Sequence, residues 1–402
     1  MKQMVRGLID RIQAIRNKVK YNKIKKNINI NNTNDIVYVD LGASNIKMSY
    51  KGELLTFRSS IRKVLVEDEI TIQKNAIRCN GCWYIVGESN QPTGNYEYKY
   101  QKEYLEVLIL FGLSMFKDKV NGIGENLKVN ILLPYNQLHT RKNLENKING
   151  VYEVNYINTL GIQEFSTSIT LGNVFAEGEA SKVYIEKNHN TYGNLCVINI
   201  GYSTTEATLV NTLGNRENFI SLNIGTNNLL SQYLKYTKAP TSSILSSWLN
   251  DGYTFSKDEA RAIAEVNKQY ISTLWNDIYN GVIKLSNPTN TSIVFVGGGA
   301  NLLIDSFKDA IPKEYNVKAL IPLESSYSDL LGMILLSNDT IEPTKINPVE
   351  EVPTTKKLSN YEKFKELKEK GLEVKEIATV TGLAIQTLRN YNVKYNKELQ
   401  VG

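Results

Sequence analysis

The alternation of apolar and polar positions predicts an α/β core that begins near residue 35. Short apolar runs typical of buried strands are separated by turn residues such as Gly42 and Lys51-Gly52, and a longer apolar stretch has helical character. The predicted elements are strands at Ile36–Leu41, Ile46–Tyr50, Leu54–Arg58, Val129–Leu133 and Ile293–Val296 and a helix near Tyr98–Phe116. Because strand triplets followed by helices occur twice, we expect two α/β lobes with a cleft between them.

Two segments of this core repeat one strand–turn–strand pattern. Each consists of an apolar run that ends at a carboxylate or carboxamide and is followed by a glycine, which permits a tight turn and a close approach to a ligand. The segments Ile36–Lys47 and Leu195–Glu206 match at Asp40 and Asn199, Leu41 and Ile200, Gly42 and Gly201, and Ser44 and Ser203. Two such hairpins facing each other, with N–H and hydroxyl groups at each turn, suit the two sides of a polyphosphate.

Residues 1–34 are predicted to form a basic amphipathic helix and an Asn-rich connector. The apolar side chains Val5, Leu8, Ile12, Ile15 and Val19 recur at helical spacing, and Lys and Arg cover the other face. Through residues 3–22 such a helix can bind a membrane surface or a partner helix. Non-specific DNA affinity and packing on its own domain are the other interpretations.

Residues 338–358 have the composition of an exposed linker, with Pro343, Pro348 and Pro353 among charged and polar residues. Beyond it, residues 359–402 contain three short helical patterns, Tyr361–Lys370, Val374–Thr381 and Ala384–Tyr391. This tail resembles DNA-binding helix-turn-helix domains. That resemblance implies a third helix in the major groove, with Gln386, Thr387, Arg389 and Asn390 available to bases or phosphates. A trihelical unit for protein contacts is the alternative.

The composition is that of a soluble globular protein. The 402 residues are 22% charged and 42% hydrophobic, and the net charge is +6, with basic residues concentrated in residues 1–26. No apolar stretch is long enough to span a bilayer, and the beginning of the chain lacks a signal-peptide core. Three cysteines and no signal predict a reducing cytoplasmic location.

Cys79 and Cys82 flank Asn80-Gly81, the strongest two-residue hairpin signal. We therefore expect two cysteines on adjacent strands beside a tight turn. A zinc site needs about four ligands, and the sequence offers no second pair. His139 and His189 are isolated in the sequence and are interpreted as ordinary structural or surface residues.

Residues 35–337 resemble the actin-like ATPases, and among them the bacterial plasmid-segregating filament proteins of the ParM type. Asp40–Lys47 resembles the first phosphate motif, Asn199–Glu206 the second, and Val296–Ala300 the adenosine motif. Trp83–Glu88 after the Asn-Gly turn is also similar to ParM-type sequences. The resemblance implies a duplicated actin/ribonuclease-H-like two-lobe core, with lobe I at about 35–190 and lobe II at about 191–337.

The same resemblance implies a Mg-dependent ATPase site, with GTP an open alternative. Asp40 would hold Mg²⁺ through water, and Glu177, with Glu179 next, would orient the attacking water. For either glutamate, capping of a helix N-terminus is the structural alternative. The implied nucleotide-binding residues are Gly42, Ser44, Asn45, Lys47, Asn199, Gly201, Ser203, Thr204, Thr205, Gly225, Gly297, Gly298 and Gly299.

Asn199 and Glu206 depart from this pattern. The second phosphate motif usually has an aspartate at the position of Asn199, and another aspartate is common at the position of Glu206. The carboxamide removes one negative charge near the cation. The sequence therefore predicts weaker Mg²⁺ binding or slower hydrolysis. This prediction fails if Asn199→Asp leaves both turnover and Mg²⁺ dependence unchanged.

An actin-like core combined with a helix-turn-helix tail implies an ATP-dependent filament that depolymerises after hydrolysis and segregates a plasmid. Its partners would be further copies of itself and centromere-like DNA, bound by the chain's own C-terminal domain and strengthened by avidity along the polymer. Two alternatives remain: a sugar-kinase-like nucleotide-sensing transcriptional repressor, and an actin-like scaffold anchored to a membrane by residues 3–22.

Overall fold

We describe a computed structural model of the chain. It describes residues 35–64, 75–88 and 96–338, with gaps at 118, 121, 159–160, 190, 192, 243–244, 246–248, 250–253, 285, 301–302, 304–306, 308–309 and 320–321. In the C-terminal region it describes positions 361, 364, 365, 368, 374, 391, 392 and 395. The predicted basic helix and connector of residues 1–34 and the linker of residues 338–358 lie outside this part of the chain, except for Asn338 at the end of a helix.

Two β-sheets form the centre of the described core. The strands are Ile36–Leu41 (β1), Asn45–Tyr50 (β2), Glu53–Arg58 (β3), Ile61–Lys63 (β4), Ala76–Cys79 (β5), Cys82–Val86 (β6), Asn126–Leu133 (β7), Gly150–Asn158 (β8), Gly161–Ala176 (β9), Asn194–Ile200 (β10), Thr205–Val210 (β11), Arg216–Leu222 (β12), Thr291–Val296 (β13) and Asn316–Ala319 (β14). The first sheet has the order β3-β2-β1-β7-β9-β8-β5-β6-β4, and the second β12-β11-β10-β13-β14.

Helices pack against these sheets. The α-helices with described bounds are Leu105–Lys117 (α1), Arg141–Ile148 (α2), Glu179–Asn188 (α3), Thr226–Tyr233 (α4), Lys257–Ile278 (α5) and Pro322–Asn338 (α6). Helices α1 and α2 join the apolar core of the first sheet, and α4 and α5 join that of the second. No helix among the described residues has the length and apolar character needed to cross a bilayer.

The sequence repeat corresponds to a structural repeat. In the first sheet β1 pairs antiparallel with β2 and parallel with β7, and in the second β10 pairs antiparallel with β11 and parallel with β13. Asp40 lies opposite Lys47 in one hairpin, as Asn199 lies opposite Glu206 in the other. The prediction of a duplicated two-lobe α/β core is therefore confirmed.

Helices α3 and α6 belong to a buried apolar cluster that joins the two sheets. Its members include Tyr38 and Leu132 of the first sheet, Val197 and Val294 of the second, and Leu330 and Ile334 of α6. The helices cross so closely that a Cβ added to Gly332 would lie 1.7 Å from the carbonyl oxygen of Ala180. Glycine is therefore required at this crossing, because a real Cβ would overlap the backbone of α3.

The Asn-Gly hairpin forms as predicted. Asn80 (φ 51°) and Gly81 (φ 76°) both have positive φ, which a type I′ turn requires. Cys79 and Cys82 lie opposite each other on the flanking strands as free thiols. Burial raises the pKa of Cys79 to about 11, so this thiol is not activated.

The chain divides into two compact units, Met1–Thr340 and Ile341–Gly402. In the second unit Phe364 is fully buried, and its ring centroid lies 5.9 Å from that of Tyr391 and 6.3 Å from that of Tyr395. These aromatic residues, which are helical, form a small core. The predicted DNA contacts Gln386, Thr387, Arg389 and Asn390 lie outside the described residues, so the helix-turn-helix remains a prediction.

Candidate nucleotide site

Asp40 forms a buried ion pair at the carboxyl end of β1. Its Oδ2 atom lies 2.7 Å from Lys47 Nζ, because the antiparallel register places the two residues opposite each other. Burial alone would raise the pKa of Asp40, but the charges of Lys47 and Lys99 outweigh that effect and hold the pKa below its usual value. Asp40 is therefore ionised at neutral pH.

Lys99 places a second cation between two acids of this region. It begins the short 3₁₀ helix Lys99–Gln101 before α1, its Nζ lies 3.8 Å from Asp40 Oδ1, and it forms an ion pair with Glu177. Burial would lower the pKa of Lys99, but Glu177 and Asp40 raise it above its usual value. The charged lysine thus links the two acids that the sequence predicts to hold the cation and orient water.

Lys102 supports the turn of the first hairpin. Its buried ammonium group donates a hydrogen bond to the carbonyl oxygen of Gly42 at 2.9 Å. Burial, together with repulsion from Lys99, lowers the pKa of Lys102 to about 7. A bound phosphate would raise this pKa again, because it adds negative charge beside the ammonium group.

Lys99 and Lys102 were not among the site residues predicted from the sequence. The only local signal was a polar, lysine-containing run directly before the apolar helix α1. Such runs are ordinarily solvated, so this signal alone does not indicate a site.

Glu177 lies in the turn that follows β9. Its backbone N–H donates to the carbonyl oxygen of Leu133 at 2.9 Å, which continues the parallel pairing of β7 and β9. Gly178 follows with φ 75°, and a Cβ there would lie 2.8 Å from Thr208 Oγ1 on β11. Burial raises the pKa of Glu177, and the nearby Asp40 and Asp329 add to this effect although Lys99 opposes it.

Glu179 lies in the first turn of α3, where an acid is also favoured by the helix dipole. Burial raises its pKa, and the charges that oppose this effect are those of Arg216 and Lys182. The structure therefore pairs Glu177 with Lys99, which also lies beside Asp40. The charges that act on Glu179 are instead those of Arg216 and Lys182. This difference supports Glu177 as the first choice for a water-orienting acid.

The second hairpin has its acid on the other strand and no lysine opposite it. Asn199 on β10 is neutral, whereas Glu206 opposite it on β11 is a buried acid, with Ser221 Oγ 3.4 Å from its Oε1. Burial and the charge of Glu177 raise the pKa of Glu206 well above its usual value. Asn199 Nδ2 donates a hydrogen bond to Asp329 Oδ2 at 2.9 Å.

The turn of the second hairpin is bonded to the N-terminus of α4. The N–H of Thr226 donates to the carbonyl oxygen of Gly201 at 3.0 Å, and a Cβ at Gly225 would lie 2.4 Å from the carbonyl oxygen of Tyr202. Thr205 is fully buried, and its hydroxyl donates to the carbonyl oxygen of Ile224 at 2.6 Å. The Thr205 hydroxyl is therefore occupied within the protein.

The glycine triplet lies against the same hairpin. A Cβ at Gly297 would be 2.4 Å from Asn199 Oδ1, and one at Gly299 would be 2.3 Å from Thr226 Cγ2. Gly298 is exposed, and a Cβ there would meet no atom within 4 Å. Packing thus explains the first and third glycines, whereas Gly298 leaves open space beside the chain.

The other predicted phosphate contacts lie in the two hairpin turns. Ser44, Ser203 and Thr204 are half-buried and Asn45 is exposed. The turn of the first hairpin is held by Ser59, whose N–H donates to the carbonyl oxygen of Ser44 at 2.9 Å. Side-chain and backbone groups at both turns are thus positioned by their neighbours and remain partly accessible.

These residues fit a magnesium nucleotide. The described residues contain no group of three or more His, Cys, Asp or Glu side chains able to hold a metal ion together. Mg²⁺ nevertheless suits the donor set, because it usually keeps several waters and uses one or two carboxylates plus phosphate oxygens. Asp40 is an ionised carboxylate, Lys47 and Lys99 provide positive charge, and Gly298 leaves open space beside the glycine triplet.

Solved actin-like structures are similar to this chain. The archaeal actin homologue Ta0583 matches at 16% identity and a TM-score of 0.59, over 75% of this chain and 98% of its own. The actin-like protein Alp7A matches at 14% identity and a TM-score of 0.60, over 75% of this chain and 95% of its own. A 15-stranded ParM filament from Clostridium botulinum matches at 16% identity and a TM-score of 0.57, over 75% of this chain and 98% of its own.

The similarity to these structures shows the actin-like two-lobe fold, in agreement with the sequence prediction. Ta0583 has also been solved in complex with ADP, and that structure matches at 17% identity and a TM-score of 0.58, over 75% of this chain and 99% of its own. No family model and no curated protein sequence matches the chain.

Proposed function

We propose that this chain, with its actin-like fold, is a nucleotide-dependent filament protein that segregates plasmid DNA. The observation that carries the proposal is the pair of structurally equivalent hairpins, with Asp40 and Lys47 in one and Asn199 and Glu206 in the other, beside the glycine triplet. Filament assembly is supported by the similarity to a ParM filament from Clostridium botulinum.

The nucleotide would lie between the two hairpins. Lys47 and Lys99 would attract the phosphates, and the turns at Gly42 and Gly201 would approach them with backbone N–H groups. Asp40 would hold Mg²⁺ through water, and Mg²⁺ would neutralise phosphate charge when bound. ATP is the proposed nucleotide, and GTP remains an alternative.

Hydrolysis would depend on Glu177. Because burial raises its pKa, this carboxylate is a stronger base than an exposed glutamate. The ion pair with Lys99 keeps the side chain in one position beside Asp40. A water held by Glu177 would therefore be oriented for attack on the terminal phosphate.

ATP-dependent assembly is the first expected result. Mixed with Mg·ATP, the full chain is expected to form filaments in negative stain that disassemble as phosphate is released, whereas Mg·ADP gives few. The reason is that hydrolysis removes the phosphate that both hairpins contact. If no sedimentable polymer forms with ATP at any salt concentration while DNA binding is intact, the filament proposal is wrong and a nucleotide-sensing repressor is favoured.

Direct DNA binding is the second part of the proposal. The C-terminal unit has its own aromatic core around Phe364, which supports an independent helical domain. One such domain would bind weakly, but an array along a filament would bind by avidity. No adaptor protein would then be needed between the filament and the plasmid.

Arg389→Ala is expected to reduce DNA discrimination. A bidentate arginine–guanine contact is worth about 1–3 kcal/mol, so the variant should lose up to that much preference for its target over a random duplex. The measurement is fluorescence anisotropy with duplexes tiling the DNA that flanks the coding region. Lys370→Ala is the matched control, because it removes one positive charge from a different predicted helix. Equal losses for both variants would contradict a base-reading role for Arg389.

A further inference from the structure

Asp329 is a buried acid of α6, between the buried Ser328 and an apolar run. It is 7% exposed, and its neighbours Leu330 and Leu331 are fully buried. Burying a carboxylate is costly unless hydrogen bonds compensate for the lost water. Both oxygens of Asp329 are compensated: Oδ1 accepts from Gly178 N at 2.9 Å, Ser181 N at 3.3 Å and Ser181 Oγ at 2.7 Å, and Oδ2 accepts from Asn199 Nδ2 at 2.9 Å.

These hydrogen bonds join the two halves of the candidate site. Gly178 and Ser181 belong to the turn after Glu177 and to the first turn of α3, whereas Asn199 belongs to the second phosphate hairpin. The Asp329 carboxylate therefore holds two parts of the site in place. One is the segment that follows Glu177, and the other is the side chain of Asn199.

The same contact sets the orientation of the Asn199 amide. Because Nδ2 donates to Asp329, the amide oxygen is turned to the other side, where a Cβ on Gly297 would lie 2.4 Å from it. Asn199 thus presents an acceptor toward the glycine triplet, as an aspartate would, and the negative charge lies one hydrogen bond behind it.

The charge of Asp329 also reaches the rest of the site. It contributes to the raised pKa values of Glu177 and Glu206, after burial and nearer charges. Burial raises the pKa of Asp329 itself, and the hydrogen bond from Ser181 opposes that effect. The carboxyl group that Asn199 lacks is therefore present in the site, on α6 rather than on β10.

We propose that Asp329 is a positioning residue that supplies, through Asn199, the negative charge missing from the second phosphate motif. This inference rests on the proposed nucleotide-binding function. It differs from the expectation drawn from Asn199 alone, since the pair Asn199–Asp329 would together act as the displaced carboxylate toward Mg²⁺.

The test is a reciprocal exchange of the two side chains. Asp329→Asn, Asn199→Asp and the double variant N199D/D329N are compared with the unsubstituted full chain. The measurements are the Mg²⁺ concentration that half-saturates ADP binding, by isothermal titration calorimetry, and the melting temperature without nucleotide. Ser181→Ala is the control, because it removes one hydrogen bond to Asp329 and leaves the charge in place.

Asp329→Asn is expected to raise the half-saturating Mg²⁺ concentration roughly 10- to 100-fold, the usual effect of losing a group that orients a metal ligand. Asn199→Asp is expected to lower the melting temperature, because it places a second carboxylate at hydrogen-bond distance from the buried Asp329. The double variant is expected to restore both quantities, since the amide introduced on α6 could donate to the carboxylate introduced on β10. If Asp329→Asn alone does not fold, the double variant carries the test.

Two results would overturn the inference while leaving the proposed function intact. One is an unchanged Mg²⁺ requirement for Asp329→Asn, with a lower melting temperature like that of Ser181→Ala, which would mean that Asp329 only caps α3. The other is a double variant with a Mg²⁺ requirement as poor as that of Asp329→Asn. If the unsubstituted chain binds no ADP at any Mg²⁺ concentration, the proposed function is wrong and the inference falls with it.

Discussion

We expect the Glu177→Gln protein to hydrolyse ATP roughly 100- to 10,000-fold more slowly than the unsubstituted chain, the range typical of losing a general base. Gln keeps the shape and one hydrogen-bonding oxygen but cannot accept a proton from water. Nucleotide affinity is expected to change little, because the contacts at both hairpins remain. Filaments formed with ATP should therefore persist, and phosphate release with time-resolved sedimentation measures both effects.

Glu179→Gln is the matched control for this prediction. It makes the same chemical change two residues away, in the first turn of α3, where the charges that act on the acid are those of Arg216 and Lys182. Hydrolysis in this variant is expected to remain close to that of the unsubstituted chain. The reverse order of the two effects would assign the water-orienting role to Glu179 and leave Glu177 as the acid that pairs with Lys99.

Gly332→Ala is expected to lower the free energy of unfolding by about 3 kcal/mol or more, at the upper end for overpacked cores. The added Cβ would lie 1.7 Å from the carbonyl oxygen and 2.3 Å from the carbonyl carbon of Ala180. Both are backbone atoms, so a side-chain rotation cannot relieve the overlap. The helix-forming advantage of Ala over Gly is only about 1 kcal/mol and does not offset this cost.

Urea unfolding of the full chain measures this effect. Gly298→Ala is the control for stability, because a Cβ there meets no atom within 4 Å, and its midpoint is expected to be nearly unchanged. Since Asp329 lies one turn before Gly332 on α6, separation of the helices should also weaken Mg²⁺-dependent ADP binding. Equal midpoints for the two variants would show that α3 and α6 have room to separate.

The hairpins and the glycine triplet were predictable because their signals are contiguous. A short apolar run, a turn glycine and a second run specify a strand–turn–strand unit from neighbouring residues alone, and the predicted strand at 36–41 agrees with the structure. The Asn80-Gly81 turn is predictable for the same reason, since positive φ at both positions favours these residue types. The repeat of the unit then indicated the duplicated fold.

The lysines of the site were not predictable in this way. Lys99 and Lys102 precede α1 in a polar run, and nothing in that run distinguishes them from solvated lysines. They reach Asp40 and Gly42 because the fold brings the short 3₁₀ helix to the carboxyl end of β1, about 60 residues earlier in the chain.

Residue types and their local order determined the strands, the tight turns and the paired phosphate hairpins, because these depend on backbone conformation and burial over a few neighbouring positions. Tertiary structure alone decided which acid contacts which cation and how the charge of the second hairpin is distributed. Asn199 and Asp329 are 130 residues apart in sequence, yet one hydrogen bond joins them. The charge assigned to a site depends on every buried group within a few ångströms, and only the packing of α6 shows that a carboxylate is among them.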